Sequence, residues 1–547
     1  MRNNEDNFIR FNNGKMGIKA TYLKQNLTEY QGNPFIEALP PILSIEEAYE
    51  LLSYYPPYDN EERNLPVHQR LHAILRLKRV FEPLERTLEL EKTFSKIIRH
   101  SYINRNPLEK EHIEILSELY SKLSTGSQDL TLNRDLRPAS LSFSIIGYPG
   151  VGKSSSIEMI LALYPQVIVH REGLNVIQIV WIKLNCPHDG SLKTLCMSFF
   201  QKIDELIGSD YLYKFGHKRN SISSMIIHMG HLAKLHGISV IVIDEIQHLL
   251  TSKGDVPEQM MNFFVTIVNE IGISVVIVGT MKAKGLLQKD FRQARRSADV
   301  GNIVWQQMNR DENWDVFMMS LWEYQWTKNV TPLTEDFSKI LYEESQGIKD
   351  IAIKIYMIAQ TNAIVTGLET ITEPLIRSII NNELSIVKPM IDALKKGDIN
   401  RLLLYDDLNP FDVENYINEQ IEYENIKEKM RSKAIDEQKK VQNENRSISA
   451  KVIMSLVNLG IEPEIAEQTT ESIIKKKKNY KETELMQVVL SQVEKKKEET
   501  REPTNKDKKG LECRLKSVIE NGRNQKQTAY ESLLEKGYIA SPSEDFL

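Results

Sequence analysis

The segment of this 547-residue chain with the most chemical content is GYPGVGKS, residues 147–154. Its spacing, a glycine, four residues, then Gly152-Lys153-Ser154, suits a loop whose backbone N–H groups close on phosphate oxygens. Gly147, Gly150 and Gly152 allow the tight approach, and Val151 and Ser155 complete the cradle. Lys153 reaches the β- and γ-phosphates, and Ser154 offers a hydroxyl to Mg²⁺. A nucleoside triphosphate, ATP with Mg²⁺, is the ligand such a loop takes.

A second acidic element fits the same chemistry. The run ISVIVIDEIQHLL ends its apolar part at Asp244-Glu245. At the end of a strand beside a phosphate loop, Asp244 would join Ser154 on the metal and Glu245 would act as general base on the attacking water. Taken alone, the pair also reads as a helix N-cap. The run ISVVIVGT ends at Thr280, whose hydroxyl suits either the γ-phosphate or a helix cap. In KDFRQARRSA, Arg292, Arg295 and Arg296 read either as a solvated basic face or as fingers that complete a neighbouring subunit's site.

These residues need a scaffold, and the pattern around them supplies one. Between about 126 and 300, short β-branched runs (LSFSIIG, VIQIVWIKL, ISVIVID, ISVVIVGT) alternate with helix-length segments. That alternation predicts an α/β fold with a doubly wound parallel sheet buried on both faces. Residues 1–125 combine a proline-punctuated stretch, GNPFIEALPPILS, with a helical region. Residues 301–410 read as a helical lid, and 411–547 as a charged helical region containing KKKK at 475–478. Its apolar clusters are short and widely spaced, which predicts a small bundle or a segment that orders on a partner.

Bulk properties narrow the classes further. A chain with 41% hydrophobic and 27% charged residues predicts several folded units in a soluble protein. No run of about 18 or more apolar residues occurs, so no membrane span or membrane partner is expected. Cys186, Cys196 and Cys513 are too scattered for a disulfide framework, which points to a reducing cytoplasm. Cys186, His188 and Asp189 lie close in sequence but lack a second cluster for a metal. The net charge of −5 means that any nucleic-acid contact must come from a local patch.

The order of phosphate loop, acidic strand end, polar strand end, late arginines and helical lid resembles the AAA+ P-loop ATPases. A narrower resemblance rests on NPFIEALPP (33–41), YPQVIVHRE (164–172), GSLKTLC (190–196), VIDEIQHL (242–249), NFFVTIVNEIG (262–272) and SQGIKDIAIKIYMIAQ (345–360). Together they resemble the TnsC family, AAA+ regulators of Tn-seven-type DNA transposition, with TniB proteins as more distant relatives. The likeness covers about residues 30–405. It implies a bacterial cytoplasmic protein, nucleoid-associated when active, that assembles with itself as a ring or filament on double-stranded DNA when ATP is bound. It also implies a target selector of TniQ or TnsD type, a transposase recruited in part through the C-terminal region, and hydrolysis as a timer. The lid departs from many AAA+ proteins, because Gly347-Ile348-Lys349-Asp350 carries no arginine after the glycine. Lys349 or Lys354 would then substitute, or the sensor is missing.

For DNA, Lys183, Lys193, Lys214, Lys218 and Arg219 are candidates, on loops that such ATPases direct toward a pore; each also fits an ordinary solvated surface. They would meet phosphates and confer little sequence preference. NPFIEALPP reads either as a docking segment for the selector or as a strap on its own ATPase domain. Two other classes share the phosphate loop. A STAND-type signalling NTPase would continue into sensor repeats, and a helicase or loading motor would need a strand-separating element. Neither feature follows in the sequence.

Overall fold

A computed structural model describes residues 7–124, 140–171, 173–217, 219–251, 256–285, 301–382, 388–398, 412–476, 481–499, 528, 530, 532 and 533. The described strands are β1 (Phe8–Arg10), β2 (Met16–Lys19), β3 (Phe143–Gly147), β4 (Val167–His170), β5 (Val176–Ile179), β6 (Trp181–Asn185), β7 (Val240–Asp244), β8 (Ser274–Gly279) and β9 (Asn302–Trp305). Five of them form one parallel sheet in the order β6-β7-β8-β3-β9. The apolar runs around 143, 240 and 274 thus become its three central strands.

Those runs show no polar alternation because both faces of the sheet are covered. Alternate residues nevertheless go to different cores, as the two-residue period of a strand requires. Val240, Val242, Val276 and Val278 join the core shared with the N-terminal helices and the lid. Ile241, Ile243, Val275 and Ile277 join a second core on the opposite face. Fully burying each such side chain contributes roughly 1.5–3 kcal/mol.

Two strand assignments correct the sequence-based expectation. β9 lies past residue 300, inside the stretch read as purely helical, and pairs with β3 at the sheet edge. VIQIVWIKL is two strands in two sheets, since β5 closes a separate four-stranded sheet of order β1-β2-β4-β5 while β6 enters the main one. Hydrophobic periodicity marks a strand but carries no information on its partner.

The N-terminal helices are α1 (Pro34–Glu37), α2 (Ile45–Leu52), α3 (Val67–Ile74), α4 (Glu85–His100) and α5 (Lys110–Ser124). Asn33 caps α1 by accepting from the Phe35 N–H, with Pro34 at its first position, and Ser44 and Glu47 form a reciprocal capping box on α2. Phe35, Ile36 and Leu39 are fully buried. Phe35 packs against Tyr102, His112 and His170. In this structure the apolar side chains of NPFIEALPP face the chain's own core, the arrangement that the strap reading describes.

Around the sheet run α6 (Lys153–Ala162), α7 (Leu192–Ile207), α8 (Tyr211–Phe215), α9 (Ile222–Leu235) and α10 (Val256–Thr266). The lid comprises α11 (Glu312–Trp322), α12 (Glu335–Ser345), α13 (Lys349–Val365), α14 (Glu373–Asn382) and α15 (Lys388–Lys396). Trp314, Trp326 and Tyr356 are buried in this region.

The chain divides into two compact units, 1–421 and 422–547. In the second, the C-terminal part of α16 (Val413–Asn458) packs with α17 (Pro463–Lys476) and α18 (Glu482–Glu499) around Val452, Leu456, Ala466, Ile473, Leu485 and Val489. This is a small helical core of its own. Among the described residues no helix is long and apolar enough to cross a membrane.

Candidate nucleotide site

The phosphate loop leaves the end of β3 and enters α6. Gly147 pairs with Trp305 of β9, and a Cβ there would lie 2.0 Å from the Trp305 carbonyl oxygen, so only glycine fits. Gly150 and Gly152 have φ of 75° and 94°, the left-handed region that disfavours other residues. Gly152 then delivers the chain into α6, whose first N–H groups and dipole favour an anion. Ser154 is half-buried and Ser155 exposed on that first turn.

Lys153 is the buried cation of the site. Its Nζ donates to the carbonyls of Gly147 at 2.9 Å and Tyr148 at 2.8 Å. Burial pushes its pKa down to about 8, against the opposing pull of Asp244 and Glu245. A polyphosphate would supply the counter-charge that the carbonyls supply only in part.

Asp244 ends β7 and is 4% exposed. It accepts the Glu245 N–H at 2.9 Å and faces the Lys183 ammonium at 3.1 Å. Lys183 stands on the neighbouring strand β6 and also pairs with Glu158 of α6 at 2.6 Å. Burial alone would lower the Lys183 pKa, but the Glu158 hydrogen bond and the Asp244 charge hold it above its ordinary value. The structure therefore places this DNA candidate at the acidic strand end, as the counter-ion of Asp244.

Glu245 adopts a left-handed backbone, φ 59°. Its carboxylate accepts from the Gln247 side-chain amide. The same amide's oxygen accepts the Thr280 N–H at 3.1 Å. Thr280, at the tip of β8, is 7% exposed, and its buried hydroxyl has no hydrogen-bond partner among the described residues. Asp244, Glu245 and Thr280 thus stand at the C-terminal ends of β7 and β8 or just after them, and Lys153, the first residue of α6, reaches back to the end of β3, where open α/β sheets hold ligands.

The lid meets the loop directly. The Asp350 N–H donates to the Gly150 carbonyl at 3.2 Å. Lys354 pairs with Asp350 at 2.6 Å. Lys349 turns away, donating to the Glu82 carbonyl at 3.1 Å and lying over the Phe317 ring. Burial, reinforced by Arg86, pushes its pKa down to about 7. Of the two lid lysines, Lys349 is committed to this apolar pocket.

Arg86, on the first turn of α4, went unrecognised in the sequence. It donates to the carbonyls of Val151 at 3.2 Å and Gln306 at 2.6 Å and lies 5.0 Å from the centre of the Trp305 ring. Burial lowers its pKa to about 10. FEPLERT gives no local sign of this role, since its partners lie far along the chain.

The other candidates are dispersed. Lys193 donates to the Asn220 carbonyl at 2.9 Å, and Lys214 pairs with Asp210 at 2.7 Å. Arg219 is exposed. Lys218, Arg292, Arg295, Arg296 and Cys513 lie outside the described residues. Cys186 and Cys196 are buried thiols with pKa pushed up to about 12 by burial. Among the described residues no group of three or more His, Cys, Asp or Glu side chains could hold a metal ion.

An AAA domain model matches residues 139–287. No curated protein matches the chain. Solved structures similar to it include ORC1 of Aeropyrum pernix in complex with DNA, at 16% identity and TM-score 0.33, covering 54% of this chain and 70% of that one. Cdc6p of Pyrobaculum aerophilum matches at 14% identity and TM-score 0.31, covering 56% and 81%. Drosophila ORC bound to DNA matches at 13% and 0.29, covering 54% and 67%. The domain match together with the five-stranded parallel sheet and its phosphate loop identifies an AAA domain in an AAA+ P-loop fold.

Proposed function

We propose that this chain is an ATP-dependent, DNA-binding AAA+ regulator of transposition, which assembles on target DNA and uses hydrolysis to time that assembly. The observation that supports an ATPase most directly is the arrangement of Lys153, Asp244, Glu245 and Thr280 at one end of the sheet. Ser154 and Asp244 offer a hydroxyl and a carboxylate, hard oxygen donors suited to Mg²⁺. When bound, that ion would offset phosphate charge. Lys153 would hold the β- and γ-phosphates, Glu245 would take the proton of the attacking water, and Thr280 would hydrogen-bond the γ-phosphate.

The remaining assignments belong to the same reading. Arg295 and Arg296 act on a neighbouring subunit's nucleotide, which ties assembly to ATP. Exposed Lys214 and Arg219 meet DNA phosphates, together with Lys193 and Lys218, while Lys183 serves Asp244 instead. A TniQ- or TnsD-type selector and a transposase are the protein partners, the latter through the C-terminal unit. These finer roles rest on the family resemblance of the motifs.

Replacing Glu245 with Gln keeps the shape of the site and removes the base. The variant should bind ATP normally, lower kcat by about 100-fold or more, and stay longer on duplex DNA. Wild-type turnover in this variant would place the base elsewhere.

A further inference from the structure

We infer that Gln247 is a positioning residue that fixes the Glu245 carboxylate and ties its orientation to the tip of β8. The inference rests on the ATPase reading above and adds to it a residue outside the phosphate loop and the acidic pair.

Gln247 lies in the short turn after β7 and is 2% exposed. Its amide is used at both ends. The Thr280 backbone N–H can only donate, so it must take Oε1, at 3.1 Å. That fixes the amide orientation and turns its NH₂ group onto the Glu245 carboxylate. The fit is close, because a Cβ on Gly279 would come within 3.0 Å of Gln247 Oε1 and 2.5 Å of Ile246 Cγ2.

Glu245 needs such a hold. A φ of 59° is unfavourable for a glutamate and persists only where its surroundings over-determine it. Three contacts do so, the Glu245 N–H to Asp244 Oδ1 at 2.9 Å, the His248 N–H to the Glu245 carbonyl at 3.1 Å and the Gln247 amide to the carboxylate. The other end of the bridge is anchored on Thr280, whose own hydroxyl is buried and, among the described residues, unpartnered. A ligand oxygen that engages this hydroxyl bears on the residue whose N–H holds Gln247. Displacement at Thr280 is thereby passed through one amide to the base.

The test uses the whole 547-residue chain and four variants, Gln247→Leu, Gln247→Glu, Glu245→Gln and the double Glu245→Gln/Gln247→Leu. Steady-state ATPase kinetics are read beside the affinity for a fluorescent ATP analogue and thermal melting. Gln247→Leu should lower kcat roughly tenfold while KM and analogue affinity stay within about twofold. Gln247→Glu keeps an acceptor for the Thr280 N–H but has no N–H for Glu245, so it should lose at least as much. In the Glu245→Gln background, adding Gln247→Leu should lower kcat no further, since Gln247 acts through Glu245.

Wild-type kcat in Gln247→Glu, or losses that multiply in the double variant, would overturn the inference while leaving the ATPase reading intact. If Gln247→Leu melts early, Gln247→Glu, equal in size and shape, decides. A wild-type protein that neither bound the analogue nor hydrolysed ATP would overturn both.

Discussion

The backbone N–H of Asp350, in the first turn of the lid helix α13, donates to the carbonyl of Gly150 in the phosphate loop at 3.2 Å. This contact sets the lid against the loop with no side chain between them. It allows only a small residue at 150, where an added Cβ would meet Asp350 Cβ and Ile348 Cγ2, each at 3.1 Å, on a backbone with φ of 75°.

Gly150→Ala therefore strains the backbone and pushes the lid outward together. The expected result is a loss of about tenfold or more in ATP affinity, with a melting temperature lower by a few degrees, consistent with about 1–2 kcal/mol of strain. Isothermal titration and thermal melting check both. Unchanged affinity would mean that the lid and the loop are not coupled through this contact.

ATP binding should depend on pH through Lys153. Its pKa of about 8 in the free protein means that the charged form, the one that attracts phosphate, declines above that pH. Affinity should be level below about pH 7.5 and then fall by up to tenfold per unit above pH 8, the limit for one coupled proton. Lys153→Ala should lose most of the affinity and, with it, this dependence. Titrations from pH 6.5 to 9.5 measure both.

The Lys349 ammonium donates to the Glu82 carbonyl and pairs with no carboxylate among the described residues, and burial outweighs the Glu82 charge and pushes its pKa down to about 7 from an ordinary 10.5. Below pH 7 both folded and unfolded chains carry its proton, and the folded state bears the full cost of the buried charge. Between 7 and 10.5 only the unfolded chain holds that proton, so this group's contribution to stability rises with pH. Lys349→Met, similar in length and uncharged, should therefore stabilise by about 1–3 kcal/mol at pH 6. The gain should shrink toward pH 9. Denaturant unfolding at the two pH values checks the sign, and a gain that grew with pH would contradict it.

What the sequence discloses depends on how local each cause is. The phosphate loop, Asp244-Glu245 and Thr280 are marked by spacing against strands whose apolar runs are themselves plain, so the central sheet and its ligand end were legible. Arg86 was not, because its partners Val151 and Gln306 are brought to it only by the packing of α4. Lys183 looked like a surface cation until β6 and β7 came into register and set it beside Asp244. The hairpin of β1 and β2 was obscured by a short, polar, glycine-containing stretch. Phe35 and Leu39 read equally well as exposed or buried, and only the aromatic cluster around Tyr102 decided between them.

ATP-driven assembly of this chain on DNA is checked by electron microscopy of the purified 547-residue protein with duplex DNA. Three nucleotide conditions are compared: a non-hydrolysable ATP analogue, ADP, and none. Regular rings or filaments should form on the duplex with the analogue alone, and should be absent from ADP samples and from Lys153→Ala under every condition. Equal assembly without nucleotide, or none on DNA with the analogue, would contradict it.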